Sequence, residues 1–327
     1  MITDPLIGIL SVTLGAAFFV ALLVYLADRY WLRIRRAKSL ENLVILQVLL
    51  PKDMPSAGDS QEEQRKDFRE MISVAEQMFS ALSGTYRRGI SGWLAGQPRF
   101  TFEIIAKDGK ILFYVGMPRA LRQYVEKQIQ GYYPDAHFEA NDGFVVFAEG
   151  LQATSVLIGQ KKQSFLPIKT YKVQESEPLN AITNAMEKLG ANARASVQLV
   201  VEPRSDRWRQ RSAQAAKAVA QGKPILTETT IIGRILYGLG AALHSANSNN
   251  KGGESSSAHL YRTPIQEQLM KLMQEKASKV GMRAQLRLTV FTEQKIDAQH
   301  TLQNLEQSFS EFTLGEGNAL EPVNVLS

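Results

Sequence analysis

Cysteine is absent from all 327 residues. That removes disulfides, thiolate zinc sites, iron–sulfur clusters and a cysteine nucleophile. Histidine is scarce: four residues, at 137, 244, 259 and 300, too scattered for HExxH or a close pair of imidazole ligands. No GxxxxGK[ST] sequence occurs, so the chain holds no Walker A loop and is expected not to hydrolyse ATP by itself. GxSxG is missing as well. The run GLGAAL at 238–243 faintly echoes a dinucleotide loop, but it follows no strand pattern and leads into a linker. Glu103 and Glu139 fall on predicted strands and read as solvent-facing positions rather than an acid/base pair, and His137 reads as solvated or half-buried. No residues suggest a metal, a cofactor or a catalytic constellation, so a non-enzymatic role is expected. Neither sign of charge dominates. Lys and Arg number 38 against 32 Asp and Glu, a net charge of +6. This is compatible with anionic lipid or nucleic acid and demands neither.

Apolar material is plentiful. Hydrophobic residues make up 44% and charged residues 21%, which excludes wholesale disorder. The length corresponds to about two domains at roughly 150 residues each. The longest apolar run is LIGILSVTLGAAFFVALLVYLA, 6–27, 22 residues without a charge. At about 1.5 Å per residue it spans a hydrocarbon core of about 30 Å. Tyr25, Tyr30 and Trp31 provide aromatic anchors at its end, and Arg29, Arg33, Arg35, Arg36 and Lys38 follow. The preceding MITDP has no base. A cleaved signal peptide would carry its bases on the other side. The pattern therefore predicts a single-pass anchor, residues 1–40 with the basic juxtamembrane segment. Its N-terminus lies outside and the bulk of the chain in the cytoplasm.

Beyond the anchor the sequence has an α+β pattern laid out twice. LVILQVLLP is a short apolar strand. Phe68, Met71, Ile72, Ala75, Met78, Phe79 and Leu82 recur at helical spacing before Gly84. FTFEIIAKDGKILFYVGM reads as a hairpin turning at Asp108-Gly109. Pro118 is expected to open a second helix with Leu121, Tyr124, Val125, Ile129 and Tyr132 on one face, and AHFEA is the fourth strand. The order is β-α-β-β-α-β, a ferredoxin-like module over 41–141. A second such module is expected over 142–327. Its strands lie within 144–171, in ASVQLVVEP, in RAQLRLTVF and near ALEPVNVL. Its helices carry Ile182 and Met186, then Leu302 and Leu305. A long insertion at about 203–282 stands where the first module has a tight hairpin. It holds the basic, Ala-rich helix DRWRQRSAQAAKAVAQGK, a short apolar stretch near 231–243, a polar linker and a further helix after Pro264.

Two residue groups stand out as contact candidates. Arg29, Trp31, Arg33, Arg35, Arg36 and Lys38 form a membrane-interface cluster. Arg207, Trp208, Arg209 and Arg211 on the insertion helix form a candidate patch for a protein partner or for nucleic-acid phosphates. Strand aromatics Phe100, Phe102, Phe113 and Tyr114 offer a second route to RNA, although Phe100 and Phe102 are expected to face the core.

AEQMFSAL at 75–82, FTFEI at 100–104, and PRALRQYVEKQI followed by YYPDA up to Ala136 carry a likeness. They resemble the membrane-proximal N-terminal region of bacterial type IV secretion or conjugation-like ATPases of the candidate-phylum type. The stretch around 281–312, with SFSEF, is also similar. In that family one transmembrane helix and two ferredoxin-like modules precede a RecA-type motor. The motor would follow a point near Val325, and this sequence stops at Ser327. The resemblance therefore implies an inner-membrane scaffold for a translocation ATPase, without the ATPase itself. Implied partners are the bilayer and motor or secretion subunits, with nucleic acid or a second copy of the chain as further candidates.

Overall fold

The computed structural model describes residues 13, 15–27, 30, 42–49, 61–140, 150–172, 178–187, 189, 190, 192–220 and 264–323. It is a mixed α+β fold built on one eight-stranded antiparallel sheet, ordered β4-β1-β3-β2-β6-β7-β5-β8.

The first half supplies β1 (Leu43–Leu49), α1 (Gln61–Ser83), α2 (Gly89–Ala95), β2 (Phe100–Lys107), β3 (Lys110–Pro118), α3 (Arg122–Tyr132) and β4 (His137–Ala140). The second supplies β5 (Gln152–Gln160), α4 (Pro178–Glu187), β6 (Arg194–Pro203), α5 (Arg207–Ala220), α6 (Pro264–Ser278), β7 (Met282–Thr292), α7 (Lys295–Ser308) and β8 (Leu320–Val323). With α2 set aside in the first half and α5 and α6 in the second, each half runs β-α-β-β-α-β. Local chemistry explains several boundaries. The β2–β3 loop is the two residues Asp108 and Gly109, with φ of 53° and 69°. Two positive φ angles make the primed turn whose twist matches a hairpin. Pro118 does not open the helix as expected. It is the last residue of β3, and a 3₁₀ turn over Arg119–Leu121 intervenes before α3. Its fixed φ suits an extended strand end as well as a helix start. The short helix α2 has no counterpart in the sequence reading.

From the centre of the sheet outward, each half has the same strand order: second, third, first, fourth. The halves meet through their equivalent second strands. β2 and β6 pair antiparallel from Phe100↔Val201 to Ala106↔Ala195, so an approximate two-fold axis passes near the central pair, Glu103↔Gln198. In an isolated four-stranded unit β2 and β6 would be open edges; here each closes the other.

Period-two alternation sends one side of every strand to the helices. In the first half Leu46, Phe100, Val115 and Met117 pack under Met78 and Leu82 of α1 and Val125 and Ile129 of α3. Tyr124 Oη donates to the Ala81 carbonyl at 2.9 Å and ties these two helices together. In the second half Ile158, Val197, Leu288 and Val290 pack under Ile182 and Met186 of α4 and Leu302 and Leu305 of α7. Ile104 and Ala106 of β2 join this second core, so the cores are continuous across the seam. A smaller cluster, Ile105, Tyr114 and Phe291, lies on the opposite side of the sheet.

Candidate functional site

The sequence contacts proposed on the insertion helix do different jobs. Arg209 faces inward. Its Nε donates to the Ala277 carbonyl and its Nη2 to the Ser278 carbonyl, both at 3.2 Å. These are C-terminal carbonyls of α6, which lack intrahelical partners. Arg209 thereby clamps the root of the hairpin formed by α5 and α6. Trp208 is half-buried, and its indole lies against Gly281. A β-carbon at 281 would fall 1.9 Å from Nε1, so the close approach requires glycine. The Trp208 Nε1 donor is buried and has no hydrogen-bond partner. An unpaired buried donor costs about 1–3 kcal/mol. Arg207 and Arg211 are exposed. The membrane-interface cluster, Arg29, Trp31, Arg33, Arg35, Arg36 and Lys38, lies outside the described residues.

The hairpin has a small core of its own, in which Leu166, Ala216 and Met273 are buried. Between the hairpin and the sheet lies a cavity of about 690 Å³. That volume falls in the small-molecule range of about 300–1,000 Å³. Strand residues Ile158, Leu199, Leu286 and Leu320 line it, together with Leu272 and Trp208 from the hairpin and Pro167 and Ile168 from the loop after β5. The charged lining is lopsided: Lys172, Arg204, Lys276, Lys279 and Arg283 against Glu76 and Glu275. Lys172 pairs with Glu275, and Lys279 with Glu76 of α1. Among the described residues no carboxylate forms an ion pair with Lys276, Arg204 or Arg283.

Lys276 is partly buried. Its Nζ donates to the Leu166 carbonyl at 2.9 Å, and burial pushes its pKa down to about 8. The hydrogen bond that Lys172 Nζ donates to Glu275 Oε1 raises the pKa of Lys172, burial opposes the rise, and the Glu275 charge adds to it. Sequence patterning did not single out Lys276. It is one lysine in PIQEQLMKLMQEKAS, and its burial depends on a loop about 110 residues earlier in the chain.

Glu103 differs from its expected solvent-facing position. It is 8% exposed. Ser196 Oγ donates to Glu103 Oε1 at 2.5 Å, and Gln198 Nε2 donates to Oε2 at 3.4 Å. The β2–β6 seam supplies both partners, and nothing local to Glu103 announces it. Glu139 and His137 are exposed on β4. Phe100 is fully buried, Phe102 packs edge-on against Phe79 with ring centroids 5.0 Å apart, and Tyr114 is buried. Phe100 and Phe102 thus face the core as expected, and Phe113 is partly buried.

At the N-terminus, residues 15–27 are helical, and Phe18 and Val24 are 73% and 64% exposed. Among the described residues no helix is long and apolar enough to cross a membrane.

A family described as Domain of unknown function (DUF8128) matches residues 65–319. The chain belongs to this family. The DUF8128 match runs from within α1 to the residue before β8, so it takes in the seam, the insertion hairpin and every cavity-lining residue named above except Leu320. Six of the eight strands, β2 to β7, thus fall within one family unit, while β1 and β8 lie outside the match. No curated protein matches the chain.

Proposed function

We propose that the chain is a membrane-anchored cytoplasmic scaffold that docks a type IV secretion-like or DNA-translocating ATPase at a bacterial inner membrane. One observation carries the anchor. The uncharged run 6–27 precedes a basic segment, and its described helical residues turn Phe18, Phe19, Val24 and Leu26 outward rather than into the α+β body. Apolar side chains grouped this way on one helix suit lipid better than water. In this reading residues 1–40 are the anchor, and the halves at 41–141 and 142–327 are ferredoxin-like modules joined edge to edge. The tether holds the modules in a thin layer at the membrane. That raises the effective concentration of other anchored partners without new contacts. Among the described residues the sheet ends at β4 and β8. Unpaired backbone groups on such end strands can accept a partner's strand.

A photo-crosslinking residue placed at His137 on β4, or at Val323 on β8, tests the docking in cells. Mass spectrometry is expected to identify a RecA-type ATPase among the adducts from at least one position. Adducts free of any such ATPase at both positions would overturn the docking role.

A further inference from the structure

We propose that the cavity between the α5–α6 hairpin and the sheet binds a small amphiphile with one anionic head, carboxylate or phosphate, on an apolar body. Three independent features point the same way. The volume, about 690 Å³, suits one small molecule rather than a macromolecular surface. The walls are aliphatic and aromatic, through Ile158, Leu286, Leu272 and Trp208. Two polar groups there are donors, the Lys276 ammonium and the unpartnered Trp208 indole N–H, while the lining carboxylates Glu275 and Glu76 are taken up by Lys172 and Lys279. An amphiphile's body would cover the apolar walls, and its head would meet a cation that no carboxylate neutralises. A cation so placed also titrates near working pH. The charged and titratable groups lining the cavity around Lys276 are Glu275 and Lys279 on its own helix, Lys172 and Tyr171 from the loop, Glu76 from α1, and Arg204 and Arg283 at the strand ends. An anion requires Lys276 protonated, so affinity should fall as pH rises through about 8.

The test uses the full chain in phosphatidylcholine nanodiscs, titrated calorimetrically with phenyl phosphate, inorganic phosphate and benzyl alcohol. Phenyl phosphate is expected to bind saturably and at least tenfold more tightly than either fragment. Lys276→Met should weaken it tenfold or more, and Lys276→Arg should restore it. Between pH 7 and 9.5 the wild type should lose about tenfold in affinity, while the arginine variant stays flat. Ala284→Phe, which fills the cavity from β7, should abolish binding with Lys276 intact. Replacing a fifth of the lipid with phosphatidylglycerol identifies the natural source. Competition with the probe assigns the head to a membrane lipid, and undiminished probe binding assigns it to a soluble compound. Phenyl phosphate binding no tighter than inorganic phosphate, or indifferent to both Lys276→Met and Ala284→Phe, would overturn the proposal.

Discussion

Ser196 Oγ donates a 2.5 Å hydrogen bond to Glu103 Oε1 across the central seam of the sheet. The two residues lie 93 positions apart, one in each half. Glu103 also sits in the row Gln47, Tyr114, Glu103, Gln198, Arg287, where each residue faces the next across a strand pair. A carboxylate in this place is tolerable because hydroxyl and amide donors reach it. Ser196→Ala removes the shorter bond while leaving the acceptor buried. It is expected to cost about 1–3 kcal/mol in urea unfolding. Ser196→Thr keeps a hydroxyl and should cost less. Equal stability of Ser196→Ala and wild type would remove the hydrogen bond from any role in holding the halves together.

Gly281 and Trp208 form a second coupled pair. Gly281→Ala places a methyl group where the indole ring lies, and overpacking of this kind costs about 1–3 kcal/mol. Shortening the ring with Trp208→Phe makes room for it and removes the unpaired N–H. The double variant is therefore expected to be more stable than the sum of the two single losses. Thermal unfolding of the four proteins in the cycle measures the coupling. Strict additivity would contradict the contact.

Lys276 gives a pH signature whose sign can be worked out. Its folded-state pKa is about 8 against 10.5 for the free side chain. Between those values the unfolded chain binds more protons, so stability contributed by this residue rises with pH. Below pH 8 the net cost of holding a charged lysine there is about 3 kcal/mol. Lys276→Met is accordingly expected to be more stable than the wild type at pH 7, with the advantage gone near pH 10.5. Paired urea titrations at several pH values check this. A difference that does not change with pH would contradict the burial of the charge.

Arg209 clamps the hairpin with two donors on adjacent carbonyls, a geometry that suits a guanidinium fork. Arg209→Ala should cost about 1–2 kcal/mol, and Arg209→Lys should recover less than half. Hydrogen exchange should quicken first at the C-terminal turn of α6. Unchanged protection there would argue against the clamp.

Most strands and helices, though not the short α2, were legible because their cores are local patterns. Phe100, Phe102 and Ile104 alternate, and Met78 and Leu82 sit one helical turn apart. The Asp108-Gly109 turn was legible for a similar reason, since few dipeptides accept two positive φ angles. The seam was not legible. An edge strand and a central strand differ in what pairs with them, and that partner lies far along the chain. Glu103 was misread for this reason. The site was hidden for the same physical reason. Lys276 and Trp208 meet the loop at 161–172 and Gly281 only after the insertion folds back. A basic helix seen in sequence shows its charge but not which arginines turn inward. Arg209 turned inward to α6, whereas Arg207 and Arg211 remain exposed.

The anchor is the claim on which the scaffold rests. Cell membranes carrying the full-length chain can be washed in alkaline carbonate, which strips peripheral proteins and leaves integral ones. The uncleaved polypeptide is expected to remain in the pellet and to enter solution only with detergent. Recovery of the uncleaved chain in the carbonate supernatant would contradict the account.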